Sequence, residues 1–277
     1  MNLKKIVRYD LFYDAGKKYA FCLLGLVIAL THHMDLLNQF MRLKQEEGLR
    51  GMGSWMDYWI YLMQGKEPYV FSLENVYDFP TSWFLLFVSL MIPICIYTWN
   101  DMQGFGKQVM IKAGGKRIWL LSKYIWALAV PLIYEASIAL VTVLYCASQR
   151  ISVSVHPTWY MMEEFCSAGV ADLSNASLFC LFFVMPYLLM VFVCWLTITL
   201  LTFLGPSVAF LVSSVVLIVS IYHRSYYLPA NWGMPVRIDT MTQGGLRMGV
   251  CLMLFGISLV ILIVIGINQM QRKDLFD

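Results

Sequence analysis

Apolar and polar positions fall into long blocks along this chain, and six strongly apolar blocks dominate: residues 19–40, 80–99, 124–146, 177–204, 206–222 and 248–267. A bilayer core needs about 20 apolar residues per helical crossing, so each block predicts one membrane-spanning helix. The fourth and fifth run together, with Gly205-Pro206 as their only punctuation. That dipeptide marks a turn, and without it one helix would far exceed a single crossing. The first block is the weakest, because its continuous apolar stretch ends at Leu30, ahead of Thr31, His32, His33 and Asp35. Nearer the N-terminus, Leu3, Ile6, Val7 and Leu11 recur at helical spacing while Lys4, Lys5 and Arg8 occupy other faces. Residues 1–18 therefore predict a basic amphipathic helix lying in the headgroup layer, or else a plain cytoplasmic tail. The expected fold is all-α: one polytopic membrane domain, 1–277, with six transmembrane helices and an N-terminal amphipathic interfacial helix.

Composition agrees with this pattern. Of 277 residues, 60% are hydrophobic and 13% charged, more apolar matter than a water-soluble domain can cover with polar surface. An even number of spans puts both termini on one side. That side collects 12 of the 20 basic residues: Lys4, Lys5, Arg8, Lys17, Lys18, Lys107, Lys112, Lys116, Arg117, Lys123, Arg272 and Lys273. By the positive-inside rule both termini and the loop 100–123 are expected in the cytoplasm. The first apolar run lacks a small-residue cleavage pattern, so it is expected to be retained. Six of the seven cysteines fall in or beside the spans and Cys166 in an outer loop, a distribution of packing residues rather than of a disulfide or zinc framework.

The opposite side carries three longer segments, 41–79, 147–176 and 223–247. The first holds Trp55, Tyr58, Trp59 and Tyr61, aromatic surface suited to a membrane interface. The last is broken by Pro229, Gly233, Pro235 and Gly244-Gly245, and predicts either an irregular segment dipping into the bundle, where protein must satisfy its backbone, or an ordinary surface loop.

Signatures of catalysis are missing. There is no His-Glu-x-x-His, no Gly-x-Ser-x-Gly and no Walker A sequence, since Ala113-Gly114-Gly115-Lys116-Arg117 lacks the upstream glycine spacing and the following Ser or Thr. Two polar features stand out inside the apolar blocks. Glu135 is the one acidic residue deep in a span, four residues after Pro131, and such a group either lines a watery pathway or makes an interhelical hydrogen bond. His32, Asp35 and Gln39 share one helix face. Two ligand-type side chains are too few to define a metal centre, and the stripe is expected at the outer mouth of a cavity.

The loop 100–123, NDMQGFGKQVMIKAGGKRIWLLSK, is the most informative segment. Asn100-Asp101 offers a cap. Phe105, Val109 and Met110 alternate with Gln103, Lys107, Gln108 and Lys112, and Gly114-Gly115 makes a break before Lys116-Arg117 and the aromatic start of the third span. A short helix projecting from the membrane fits this pattern. The arrangement resembles the permease subunits of type-2 ATP-binding-cassette exporters, in which the first cytoplasmic loop carries an acidic residue, a glycine-containing short helix, a turn, a basic residue and a Lys near the next span. The matching positions are Asp101, Gly104 or Gly106, Gly114-Gly115, Arg117 and Lys123, with Gly-Gly where many relatives have Pro. The resemblance implies that the loop helix is a coupling helix, with Asp101, Gly104, Phe105, Lys107, Val109, Met110, Gly114 and Arg117 as candidate coupling residues. It further implies a separate nucleotide-binding ATPase subunit holding ATP and Mg, and a second permease copy or a homologous permease. This chain itself then needs no cofactor, and its setting is a bacterial plasma membrane, in contact with lipid and not with nucleic acid.

Overall fold

The computed structural model describes residues 3–13, 19–20, 22–47, 51–69, 79–111, 115–158 and 173–273, the side chains of 46 and 47 excepted. It is all-helical, with no strand among the described residues. In chain order the helices are α1 (Leu3–Phe12), α2 (Cys22–Glu47), α3 (Trp55–Met63), α4 (Thr81–Gln103), α5 (Phe105–Val109), α6 (Gly115–Ser148), α7 (Asn175–Phe203), α8 (Pro206–Tyr222) and α9 (Met248–Arg272). Residues Cys180–Val184 of α7 form a π-helical turn, and two 3-10 turns, Pro229–Gly233 and Pro235–Arg237, precede α9.

Four of these helices, α4, α6, α7 and α9, are long and apolar enough to cross a membrane. Helix α8 is apolar but only 17 residues long. Helix α2 runs 26 residues, past the expected end at Phe40, and the polar residues after Leu30 set it apart from the four. The turn at Gly205-Pro206 is where the sequence puts it: Gly205 is extended and Pro206 opens α8, a position where a missing N–H costs nothing. Of the expected 1–18, α1 occupies Leu3–Phe12, and residues 1, 2 and 14–18 lie outside the described set.

Helix α7 is the axis of the bundle, packed on α4, α6, α8 and α9. The outward faces are apolar instead of polar. On α8 Val208, Leu211, Val215 and Val219 are exposed, and on α9 Ile257, Val260, Ile261, Val264 and Ile265. Stripes of this extent have no place on a water-soluble monomer, and they are the kind of surface a membrane protein turns to lipid.

The connecting segments sort to two ends. At one end Lys116 donates its ammonium to the main-chain oxygens of Gln271 and Lys273 at the close of α9, a cation at a helix C-terminus, while α1 packs along α6. The N-terminal helix, the loop before α6 and the end of α9 are thus gathered together. At the other end Trp55 N–H donates to Ser152 O at 2.9 Å and Val236 N–H to Gln64 O at 3.1 Å, interlocking the three longer segments.

Candidate functional site

Helix α4 ends at Gly104, whose N–H bonds Asn100 O at 2.9 Å, and the chain turns at once into α5. What holds this turn is a buried ion cluster. Lys123 Nζ, fully buried on α6, lies 2.5 Å from Asp10 Oδ1 of α1 and 2.7 Å from Asp101 Oδ2 of α4. Tyr97 hydroxyl donates to Asp10 Oδ1 at 2.5 Å, and Trp119 Nε1 donates to Asp101 Oδ2 at 2.7 Å. One ammonium between two carboxylates, with indole and phenol donors alongside, binds three helices at a single point. Gly106 is required beside it: a Cβ there would stand 2.4 Å from Trp119 Nε1 and 2.5 Å from Asp101 Oδ2.

The candidate coupling residues divide around this cluster. Asp101 belongs to it, and Gly104 makes the turn. Phe105 is 42% exposed and its ring lies 4.6 Å from that of Tyr9 on α1. Val109 and Met110, read from the sequence as apolar contacts for a partner, are instead buried within the chain. Their place on the surface is taken by Ile111, 53% exposed, which the sequence reading passed over. Lys107 is half-buried and Arg117 exposed. Gly114 and Lys112 lie outside the described residues.

Glu135 sits in the far half of α6, buried, with Oε1 lacking a hydrogen-bond partner among the described residues. It lines a groove of about 530 Å³ between α6 and α7, walled by Leu132, Ala139, Phe179, Phe183 and Tyr187. The π-helical turn Cys180–Val184 forms part of that wall; such bulges widen a helix locally and recur at functional positions. Tyr187 hydroxyl is committed to Leu128 O at 3.1 Å.

His32, Asp35 and Gln39 do come together, through Tyr61 of α3. Gln39 Nε2 donates to Asp35 Oδ2 and to Tyr61 hydroxyl, both at 2.8 Å, and the His32 ring stacks on Tyr61 at 4.4 Å. His32 and Asp35 border a cleft of about 290 Å³ shared with Thr81 and Trp83. Among the described residues no three His, Cys, Asp or Glu side chains assemble as a metal-binding group.

The irregular segment 223–247 is folded inward, with Asn231, Gly233, Met234 and Ile238 buried. Its anchor is Arg237, fully buried, donating to Ser220 O at 2.6 Å, to Lys66 O at 2.7 Å and to Ile221 O. It thereby caps α8 and clamps the segment to the stretch after α3. From the sequence Arg237 is only one of the sparse basic residues on its side; Pro and Gly breaks flanking an arginine were the available signal. Comparison of the chain with protein-family models, curated proteins and solved structures finds no match.

Proposed function

We propose that this chain is the permease subunit of an ATP-driven exporter, working with a nucleotide-binding ATPase and a second permease. In this reading α2 and α8 complete six spans, α1 lies in the interface, and both termini and the α4–α6 loop face the cytoplasm of a bacterial cell. The supporting observation is the Lys123 cluster. A coupling element must be stiffly joined to the spans it moves, and α5 leaves directly from the point where buried charge ties α1, α4 and α6 together, with Phe105 and Ile111 partly exposed beside it. Energy enters from the partner; the spans alternate access to a pathway for an amphiphilic peptide, antibiotic or lipid-like molecule.

The test is co-purification of the tagged chain from its native host, followed by nucleotide hydrolysis and export assays. A stably bound ATPase whose activity depends on this chain and drives export is the expected result. Interface energy concentrates in a few anchors, so Phe105→Ala and Ile111→Ala should lower complex yield or uncouple hydrolysis from export while insertion stays normal. Val109→Asp is unsuitable, because it places charge in the packed interior. Full complex yield and coupling in both alanine variants would remove the loop from the mechanism. An ATPase complex that turns over without moving substrate would make the chain an assembly or sensor subunit, and activity of the isolated chain would make it a membrane enzyme.

A further inference from the structure

An acid in an apolar groove has a problem that a ligand can solve. The Glu135 carboxyl is removed from water, its Oε1 has no donor among the described residues, and the groove beside it is walled by aliphatic and aromatic side chains. Stripping water from a carboxylate is costly unless a counter-charge replaces it. The other polar side chain on the wall among the described residues, Tyr187, has its hydroxyl occupied by Leu128 O. Among the described residues no basic side chain lines the groove. A cation entering the groove would supply the missing partner, with an apolar body against the walls.

We infer that the groove between α6 and α7 binds a lipophilic cation, its apolar body against Phe179, Phe183 and Leu132 and its positive centre against Glu135. The size is in keeping: about 530 Å³ falls within the range of small-molecule pockets, roughly 300–1,000 Å³. The position also fits a ligand that partitions through lipid. Leu132 and Phe179 at the rim are each more than half exposed on the flank of the bundle, so the groove opens sideways, in the half of the molecule away from the Lys123 cluster. Helical packing alone would close such a gap; the π-helical turn at Cys180–Val184 and the small side chains of Ala136 and Ala139 keep it open. That such a cation is the transported substrate rests on the permease reading; that it binds does not.

The experiment measures equilibrium binding of radiolabelled tetraphenylphosphonium to the purified full chain in lipid nanodiscs, with empty nanodiscs subtracted and without any ATPase. Tetraphenylborate, matched in size and opposite in charge, is the comparison probe. Saturable binding of the cation, at least tenfold tighter than that of the anion, is expected. Glu135→Gln should weaken cation binding at least tenfold, and Ala139→Trp, which fills the groove and keeps the acid, should abolish it. Equal binding of cation and anion, or undiminished binding in Ala139→Trp, would overturn the inference, as would undiminished binding in a Glu135→Gln variant with wild-type melting behaviour. Should Glu135→Gln fail to fold, the charge comparison and the tryptophan variant decide. Loss of the ATPase partnership would leave these results untouched.

Discussion

Lys123 ties three helices together through two buried carboxylates. Removing one partner of a buried ion pair leaves the rest uncompensated, at a cost of about 3–5 kcal/mol, so Lys123→Met should show a sharply lowered melting temperature in detergent. Replacing Asp10 and Asp101 by Asn in the same chain should recover part of it, because neutral groups no longer need the ammonium. Gly106→Ala should lower the melting temperature also, by prising Trp119 from Asp101. At the other end Arg237→Met uncaps the carbonyls of Ser220, Ile221 and Lys66. Buried acceptors left unpaired cost about 1–3 kcal/mol each, and limited proteolysis within 223–247 should accelerate. Only part of this was legible in the sequence. Asp101 and Lys123 stand at the two ends of one loop, which makes them candidates, but Asp10 lies 91 residues before Asp101 and nothing local pairs them. Glu135 was legible because a lone acid among apolar neighbours is conspicuous at any resolution of pattern.

Among the elements, five of the six blocks translate into helices because each is continuous and its breaks are local, while the first runs on as helix through the polar residues after Leu30. The misjudged boundaries have a common cause. Residues 115–123 continue α6 although Lys116, Arg117, Ser122 and Lys123 interrupt their apolar run, since tertiary contacts to α1 and α4 hold them helical where hydropathy alone ends the block at 124. Helix α3 was not expected as a helix because the aromatic run is short; it forms through a long-range anchor. Asp57, buried at its first turn, accepts Ser54 N–H at 2.6 Å and Thr158 N–H at 2.8 Å. Burial raises the Asp57 pKa above its ordinary value, and the opposing pull of the Thr158 and Ser54 donors does not cancel it. A carboxyl whose folded pKa is raised holds its proton better when folded. Its contribution is then complete below about pH 4 and is lost as pH rises through the folded value. Wild-type melting temperature should therefore decline over that window, and the Asp57→Asn chain should lack this component when the two curves are overlaid.

At the scale of the whole molecule, the charge bias and the packing describe the same two ends. The charge-rich end gathers α1, the α4–α6 loop and the close of α9; the other interlocks α3 with residues 152 and 223–247. In a background without native cysteines, Tyr227→Cys should react with an impermeant maleimide applied to intact cells, its parent residue being 93% exposed. Gln108→Cys should react only after permeabilisation, and the reverse pattern would invert the assigned orientation. The orientation itself is a matter of charge and membrane potential, which no fold of the chain alone contains.

Helix α6 reaches from one end to the other, 34 residues or about 51 Å. It carries Lys123 on one side of Pro131 and Glu135 on the other. Proline has no N–H to donate, so the ladder of backbone bonds between those two residues is missing a rung. In the permease reading, a pull applied at the loop would reach the groove through a rod with a built-in soft joint, and the joint would decide how much of it is delivered as tilt and how much is absorbed as bend. Restoring the rung would turn a flexible drive shaft into a stiff one, leaving grip at both ends intact while changing what one end feels of the other.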